Sequence, residues 1–171
     1  MTSPRERWED VLPGGEHVTI RPACDTDAER VKAFLESLSD DSRWLRYHSP
    51  APIIRSWMVD AVARADHDHR EALLALVDGE IVGLAEWGRV HADDPTADVG
   101  VVVDEVHRRR GIARELMRHL AASGRAHGVD TFTASVLSVN RPTIAMVQDV
   151  APLRTITFDG PTVAVEIPLS A

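Results

Sequence analysis

The chain has 171 residues, 44% of them hydrophobic, and a formal net charge of −8. That length and apolar fraction supply one continuous core, so a single domain is expected. The acidic balance argues against a nucleic-acid partner, the lone Cys24 excludes an intramolecular disulfide scaffold, and no apolar run approaches the roughly 20 residues of a membrane span, so no membrane partner and a cytoplasmic location are expected.

Residues 1–15 are polar and end in Pro13, Gly14 and Gly15, which reads as a flexible arm in front of one domain over residues 16–171. The first strand is expected over residues 17–22. Asp25 and Asp27 offer caps to a helix in which Val31, Phe34, Leu35 and Leu38 recur at helical spacing. Residues 39–42 read as a break, followed by a short helix carrying Trp44, Leu45 and Tyr47 and, beyond Pro50 and Pro52, a third through Ile54, Trp57, Met58 and Val62. Residues 73–77 and 81–87 are apolar runs flanking Asp78 and Gly79, the strongest short signal for a tight hairpin.

After the acidic loop at Asp93 and Asp94, residues 98–103 form a further strand, and a helix follows from near Arg110 to about His127 and Gly128, with Ile112, Leu116 and Leu120 on one face. Residues 131–137 alternate Phe132, Ala134 and Val136 with hydroxyl residues. This is a strand behind a crossover helix, hence parallel to the one before. Asn140 can cap a short helix with Pro142 in its first turn, and residues 153–158 and 162–169 close the chain as a hairpin.

Chemistry concentrates between Val101 and Arg114, where Arg108, Arg109, Arg110 and Gly111 form a basic turn between a buried strand and a helix. The first amides of a helix lack internal acceptors and its dipole favours an anion there, whereas successive arginines at that end disfavour the helix unless an anion is bound. Gly111 allows close backbone approach, and Arg108, Arg109, Arg110 and Arg114 supply charge-assisted contacts to phosphate.

Arg108, Gly111 and Ala113, at the spacing Arg-x-x-Gly-x-Ala behind Val103, resemble the acyl-CoA pyrophosphate signature of the GNAT superfamily of N-acyltransferases. The order of elements over residues 17–169 resembles that family, and residues 39–49 and 140–144 resemble segments of bacterial protein-lysine acetyltransferases. The resemblance implies an α/β (α+β) fold: a mixed, mostly antiparallel sheet of about six to seven strands flanked by helices, with a parallel pair splayed around the acyl-CoA site. It also implies that backbone groups of Val101 and Val103 meet the pantetheine arm. Arg108, Arg109, Arg110, Gly111, Ile112, Ala113 and Arg114 would hold the pyrophosphate, and Asn140 would contact the cofactor, acetyl-CoA or another acyl-CoA, with no metal required.

The implied reaction moves an acetyl group to a primary amine within a ternary complex. A carboxylate base would help, and Asp98 is the first candidate and Glu86 the second; His91 and His107 are candidate proton shuttles. The acidic balance suits a cationic acceptor, a protein lysine or a small amine. Val147 stands where many relatives place a tyrosine acid, and Ala151 and Pro152 replace a usual Gly-Phe. A non-catalytic acyl-CoA sensor is therefore the alternative, and a homodimer stays open. Asp66, His67, Asp68 and His69 form a ligand-like run that reads as a solvated helix end rather than a metal site, and no P-loop motif is present.

Overall fold

The computed structural model describes residues 6–49, 53–152 and 154–169. Its sheet has eight strands in the order β1-β2-β3-β4-β5-β6-β8-β7. They are β1 (Trp8–Val11), β2 (His17–Pro22), β3 (Arg70–Val77), β4 (Glu80–Gly88), β5 (Thr96–Val103), β6 (Thr131–Leu137), β7 (Thr155–Asp159) and β8 (Thr162–Pro168). The helices are α1 (Ala28–Ser37), α2 (Asp40–Tyr47), α3 (Ser56–Ala63), α4 (Ile112–Ala126) and α5 (Arg141–Val150). Every neighbouring pair is antiparallel except β5 and β6, which run parallel, as expected of a strand reached through a crossover helix.

The strand count exceeds the expected six to seven because part of the supposed arm is ordered. Trp8–Val11 pairs with β2, Trp8 against Ile20 and Val11 against His17. Side chains explain the attachment: Trp8 stacks on His119 of α4 with ring centroids 4.4 Å apart, and Asp10 accepts from His119 Nε2 and Arg118 Nη2, both at 2.7 Å. Polar composition concealed a strand held by polar contacts of Asp10 and by a single aromatic ring, Trp8, packed against the core.

Period-two alternation in β3 builds two cores at once. Leu73 and Ala75 pack with Ile112, Leu116 and Leu120 of α4, whereas Ala72 and Leu74 pack with Val31 and Leu35 of α1 and Val59 and Val62 of α3. A third cluster joins Val147 of α5 to Val136 of β6 and Val163 and Val165 of β8. The β3–β4 turn is the expected tight one, since Asp78 and Gly79 both hold positive φ, 51° and 81°, as a twist-matched two-residue turn requires.

Three local readings are revised. The break expected over residues 39–42 is confined to Leu38 and Ser39: the Ser39 hydroxyl accepts the Ser42 N–H at 3.1 Å and caps α2, which starts at Asp40. α4 starts at Ile112, because Gly111 takes the left-handed conformation (φ 98°) and ends the turn. The run at residues 66–69 lies in the loop before β3, where Asp66 Oδ1 accepts the N–H groups of Asp68, His69 and Arg70 at 2.9–3.0 Å. That carboxylate shapes a turn, and His67 is directed inward to Glu71, at 2.6 Å. In the C-terminal hairpin the first strand begins at Thr155, and Leu153 lies outside the described residues.

Candidate active site

Pairing between β5 and β6 stops after Thr96/Thr131, Ala97/Phe132 and Asp98/Thr133. β5 then continues along β4 as far as Val103, and β6 along β8 as far as Leu137, so the two strands diverge into a V. The Asp104 N–H donates to Val82 O at 2.9 Å. Antiparallel pairing alternates, so the N–H and C=O groups of Val99, Val101 and Val103 point away from β4 and into this opening. Such an edge matches an extended ligand that carries amides. One of its acceptors is already used: Arg108 Nε donates to Val103 O at 3.1 Å.

Above the opening, residues 104–111 form the basic turn, and its arginines do not act alike. Arg108 reaches across to α2, with Nη2 donating to Ser42 Oγ at 2.7 Å, so it fastens the turn to that helix. Arg110 pairs with Glu16 at 3.1 Å and donates to Val106 O at 3.0 Å. Arg114 lies 3.6 Å from Asp149 of α5, with both side chains exposed. Arg109, left-handed at φ 60°, is exposed and makes no side-chain hydrogen bond or ion pair among the described residues. The first helical bond runs from Glu115 N–H to Gly111 O, so the N–H groups of Ile112, Ala113 and Arg114 lack acceptors within α4, and among the described residues no side chain caps them. An open depression of about 420 Å³ between this turn and residues 12–16 is lined by Pro13, Gly14, Arg109 and Gly111.

A hydroxyl–carboxylate cluster that sequence reading missed anchors the turn. Glu105 accepts from the Ser39 hydroxyl at 2.5 Å, from the Ser39 N–H at 3.1 Å and from the Ser42 hydroxyl. Burial pushes the Glu105 carboxyl up, but these donors more than offset it and hold it at about 2. His107 also belongs to the turn, its ring Nδ1 2.7 Å from Asp104 Oδ1 rather than from either candidate base. His91 is exposed in the loop after β4.

Asp98 and Glu86 share one face. Glu86 stands opposite Gly100 and Gly88 opposite Asp98, so the two residues are diagonal neighbours, their α-carbons roughly 7–8 Å apart at such positions. Their surroundings differ. Glu86 is ion-paired with Arg46 of α2, a residue not singled out from sequence, whose guanidinium lies against Gly100 and 5.0 Å from the Tyr47 ring. Asp98 is exposed, and Thr133 Oγ1 donates to its Oδ1 at 2.6 Å. Asn140 caps α5, its Oδ1 accepting the Thr143 N–H at 3.3 Å. Val147 is buried against Val136 and Val163 and fills core rather than facing the opening.

A parallel pair splayed at mid-strand, with a basic turn and an uncapped helix above the opening, defines an acyl-CoA-type transferase fold. Residues 31–150 match the acetyltransferase (GNAT) family, and the chain belongs to it. It is similar to the GNAT domain of the S. lividans protein PAT, with 29% identity, a TM-score of 0.88, and 95% of this chain and 96% of that one covered. It is 28% identical to an acetyltransferase of Pseudomonas aeruginosa over 72% of this chain and 68% of that protein. The diaminobutyrate acetyltransferase of Paenibacillus lautus, determined with its substrate and coenzyme A, shares the fold (TM-score 0.71) at 20% identity, over 92% and 98% of the two chains. The chain is accordingly an acetyltransferase of the GNAT family. No described helix is long and apolar enough to cross a membrane.

Proposed function

We propose that the enzyme transfers an acetyl group from acetyl-CoA directly to a cationic primary amine, a protein lysine by preference, with Asp98 as the base. The observation that carries this reading is the unpaired β5 edge leading into the uncapped start of α4. An acyl-pantetheine arm carries amides able to pair with Val99 and Val101. Its pyrophosphate suits the free N–H groups of Ile112, Ala113 and Arg114 and the unpartnered Arg109. Arg110 and Arg114 add charge at the rim, while Arg108 and Gly111 shape the turn. Asn140 holds the start of α5 beside the opening.

A lysine-like amine is mostly protonated at pH 7, a deficit of roughly 4–5 kcal/mol for the reactive form. The exposed Asp98 accepts that proton. The neutral nitrogen then attacks the thioester carbonyl, a C–N bond forms, and an N–H group of the β5 edge stabilises the oxyanion. As the C–S bond breaks the departing thiolate takes the proton held by Asp98, and the carboxylate so regenerated accepts the second proton from the acylated nitrogen and releases it to solvent. A coenzyme A thiol resembles a cysteine thiol, near 8.5, so it leaves without the acid that Val147 cannot provide. Glu86, ion-paired with Arg46, is not free to act as the base. The net charge of −8 favours a cationic acceptor.

Calorimetric titration with acetyl-CoA tests the cofactor half. Micromolar binding is expected, lost in an Arg109→Glu, Gly111→Asp variant that reverses the free cation and sets a carboxylate at the helix start. Absence of binding to the unaltered protein would remove the reading. For the catalytic half, Asp98→Asn should lower kcat on the order of 10²–10⁴-fold with acetyl-CoA affinity retained, and Glu86→Gln should lower it far less.

A further inference from the structure

We infer that Thr133 is a positioning residue that orients the Asp98 carboxylate for proton transfer; the inference rests on the reading of Asp98 as the base. Thr133 stands opposite Asp98 in the last pair that β5 and β6 make before they part. The carboxylate therefore sits at the closed end of the V, one residue before the β5 edge becomes free. Its side chain is exposed, so packing does not fix its torsions, and an exposed aspartate left to itself samples several rotamers.

The Thr133 hydroxyl has one proton and two acceptors in reach: Asp98 Oδ1 at 2.6 Å and Ala97 O at 3.5 Å. The shorter, charge-assisted bond to the carboxylate takes it. That bond ties down Oδ1 and leaves Oδ2 free to receive a proton. Thr133 is itself held between two strands, since it also pairs with Glu166 of β8, and β-branching restricts its χ1. A stiff donor on the far strand thus aims a mobile base on the near one. Geometry of this kind matters because a misplacement of about 1 Å can cost on the order of a hundredfold in rate.

The test is a double-mutant cycle on the full chain with Thr133→Val, which keeps shape and removes the hydroxyl, and Asp98→Asn. Turnover is followed by thiol release, with Nα-acetyl-lysine methylamide as acceptor and, separately, with water alone, because hydrolysis of acetyl-CoA needs the same base and no identified amine. Thr133→Val is expected to lower kcat about tenfold in both reactions and to leave the calorimetric Kd for acetyl-CoA within twofold. Thr133→Ser, which restores the donor, should recover kcat to within about threefold of the unaltered enzyme. In the Asp98→Asn background, Thr133→Val should change nothing further, because the group it orients is gone.

Losses that multiply in the double variant would overturn the inference and leave Asp98 as the base. So would a Thr133→Ser enzyme as slow as Thr133→Val, or a Kd weakened in parallel with kcat, either of which marks a structural strand contact. An Asp98→Asn enzyme with undiminished turnover in both reactions would sink the base assignment and the positioning role with it.

Discussion

The two arms of the V are built differently. The arm from β1 to β5 is covered on both faces, by α4 on one and by α1, α2 and α3 on the other, and its central strands carry apolar residues at nearly every position. The arm of β6, β8 and β7 has a core on one face only, where α5 lies. Its other face presents Thr133, Ser135, Glu166, Thr155 and Thr157, half-exposed or exposed. A doubly covered sheet is rigid and can hold one edge unpaired without collapse. A singly covered one supplies the second wall and the polar groups that reach across. The site lies on the seam because there an interior strand, β5, has an open edge while its other side stays anchored to β4.

If the arms differ this way, truncating each core should give unequal losses. Leu116→Ala, on the fully buried inner face of α4, is expected to cost about 2–5 kcal/mol in denaturant unfolding. Val163→Ala in the smaller cluster should cost about 1.5 kcal/mol, from two fewer buried carbons at about 0.8 kcal/mol each. Equal losses would break the comparison.

Acid should attack the first arm. Asp27 is buried, which raises its carboxyl, but the Arg21 guanidinium, with oxygens at 2.7 Å, and the Cys24 N–H and thiol more than offset this and hold it at about 2. Glu105, also at about 2, ties α2 to the basic turn. Both carboxyls lie below their unfolded values of 3.8 and 4.5, so the stability they add is present above those values and is lost as pH falls from about 4.5 towards 2. For Asp27 this amounts to about 2 kcal/mol; for the more exposed Glu105 it is less, because solvent screens it. All four tryptophans, Trp8, Trp44, Trp57 and Trp87, belong to the first arm, so their fluorescence reports it directly. An Asp27→Asn variant should be less stable at neutral pH and show a shallower loss over this window. An unchanged pH slope would remove the assignment.

The smallest effect sharpens the contrast at its edge. A Cβ on Gly100 would stand 2.5 Å from the Arg46 guanidinium. The guanidinium is the end of a flexible chain and can swing off Glu86, so Gly100→Ala should cost within about 1 kcal/mol by thermal unfolding. A cost matching Leu116→Ala would show that Arg46 is fixed as core.

Much of the architecture could be read from local pattern. The alternation in residues 73–77 and 81–87 around Asp78 and Gly79, the helical recurrence of Ile112, Leu116 and Leu120, and the crossover to residues 131–137 each fix an element through its own neighbours in sequence. The basic turn was legible for the same reason, since strand, glycine and helix start are contiguous. β1 was missed because its side-chain partners, His119 and Arg118, lie more than a hundred residues away and bind it through hydrogen bonds and a ring stack, to which apolar periodicity is blind.

By itself the sequence determined the succession of elements from β2 onward, the parallel pair and the anion-ready turn, since these follow from the propensities and steric limits of adjacent residues. Tertiary structure alone decided which arginine stays free, that Arg46 claims Glu86, and that Thr133 meets Asp98. Those outcomes depend on strand register and on which side chains converge from distant segments, and a charged group takes its role from whatever partner the fold brings within about 3 Å.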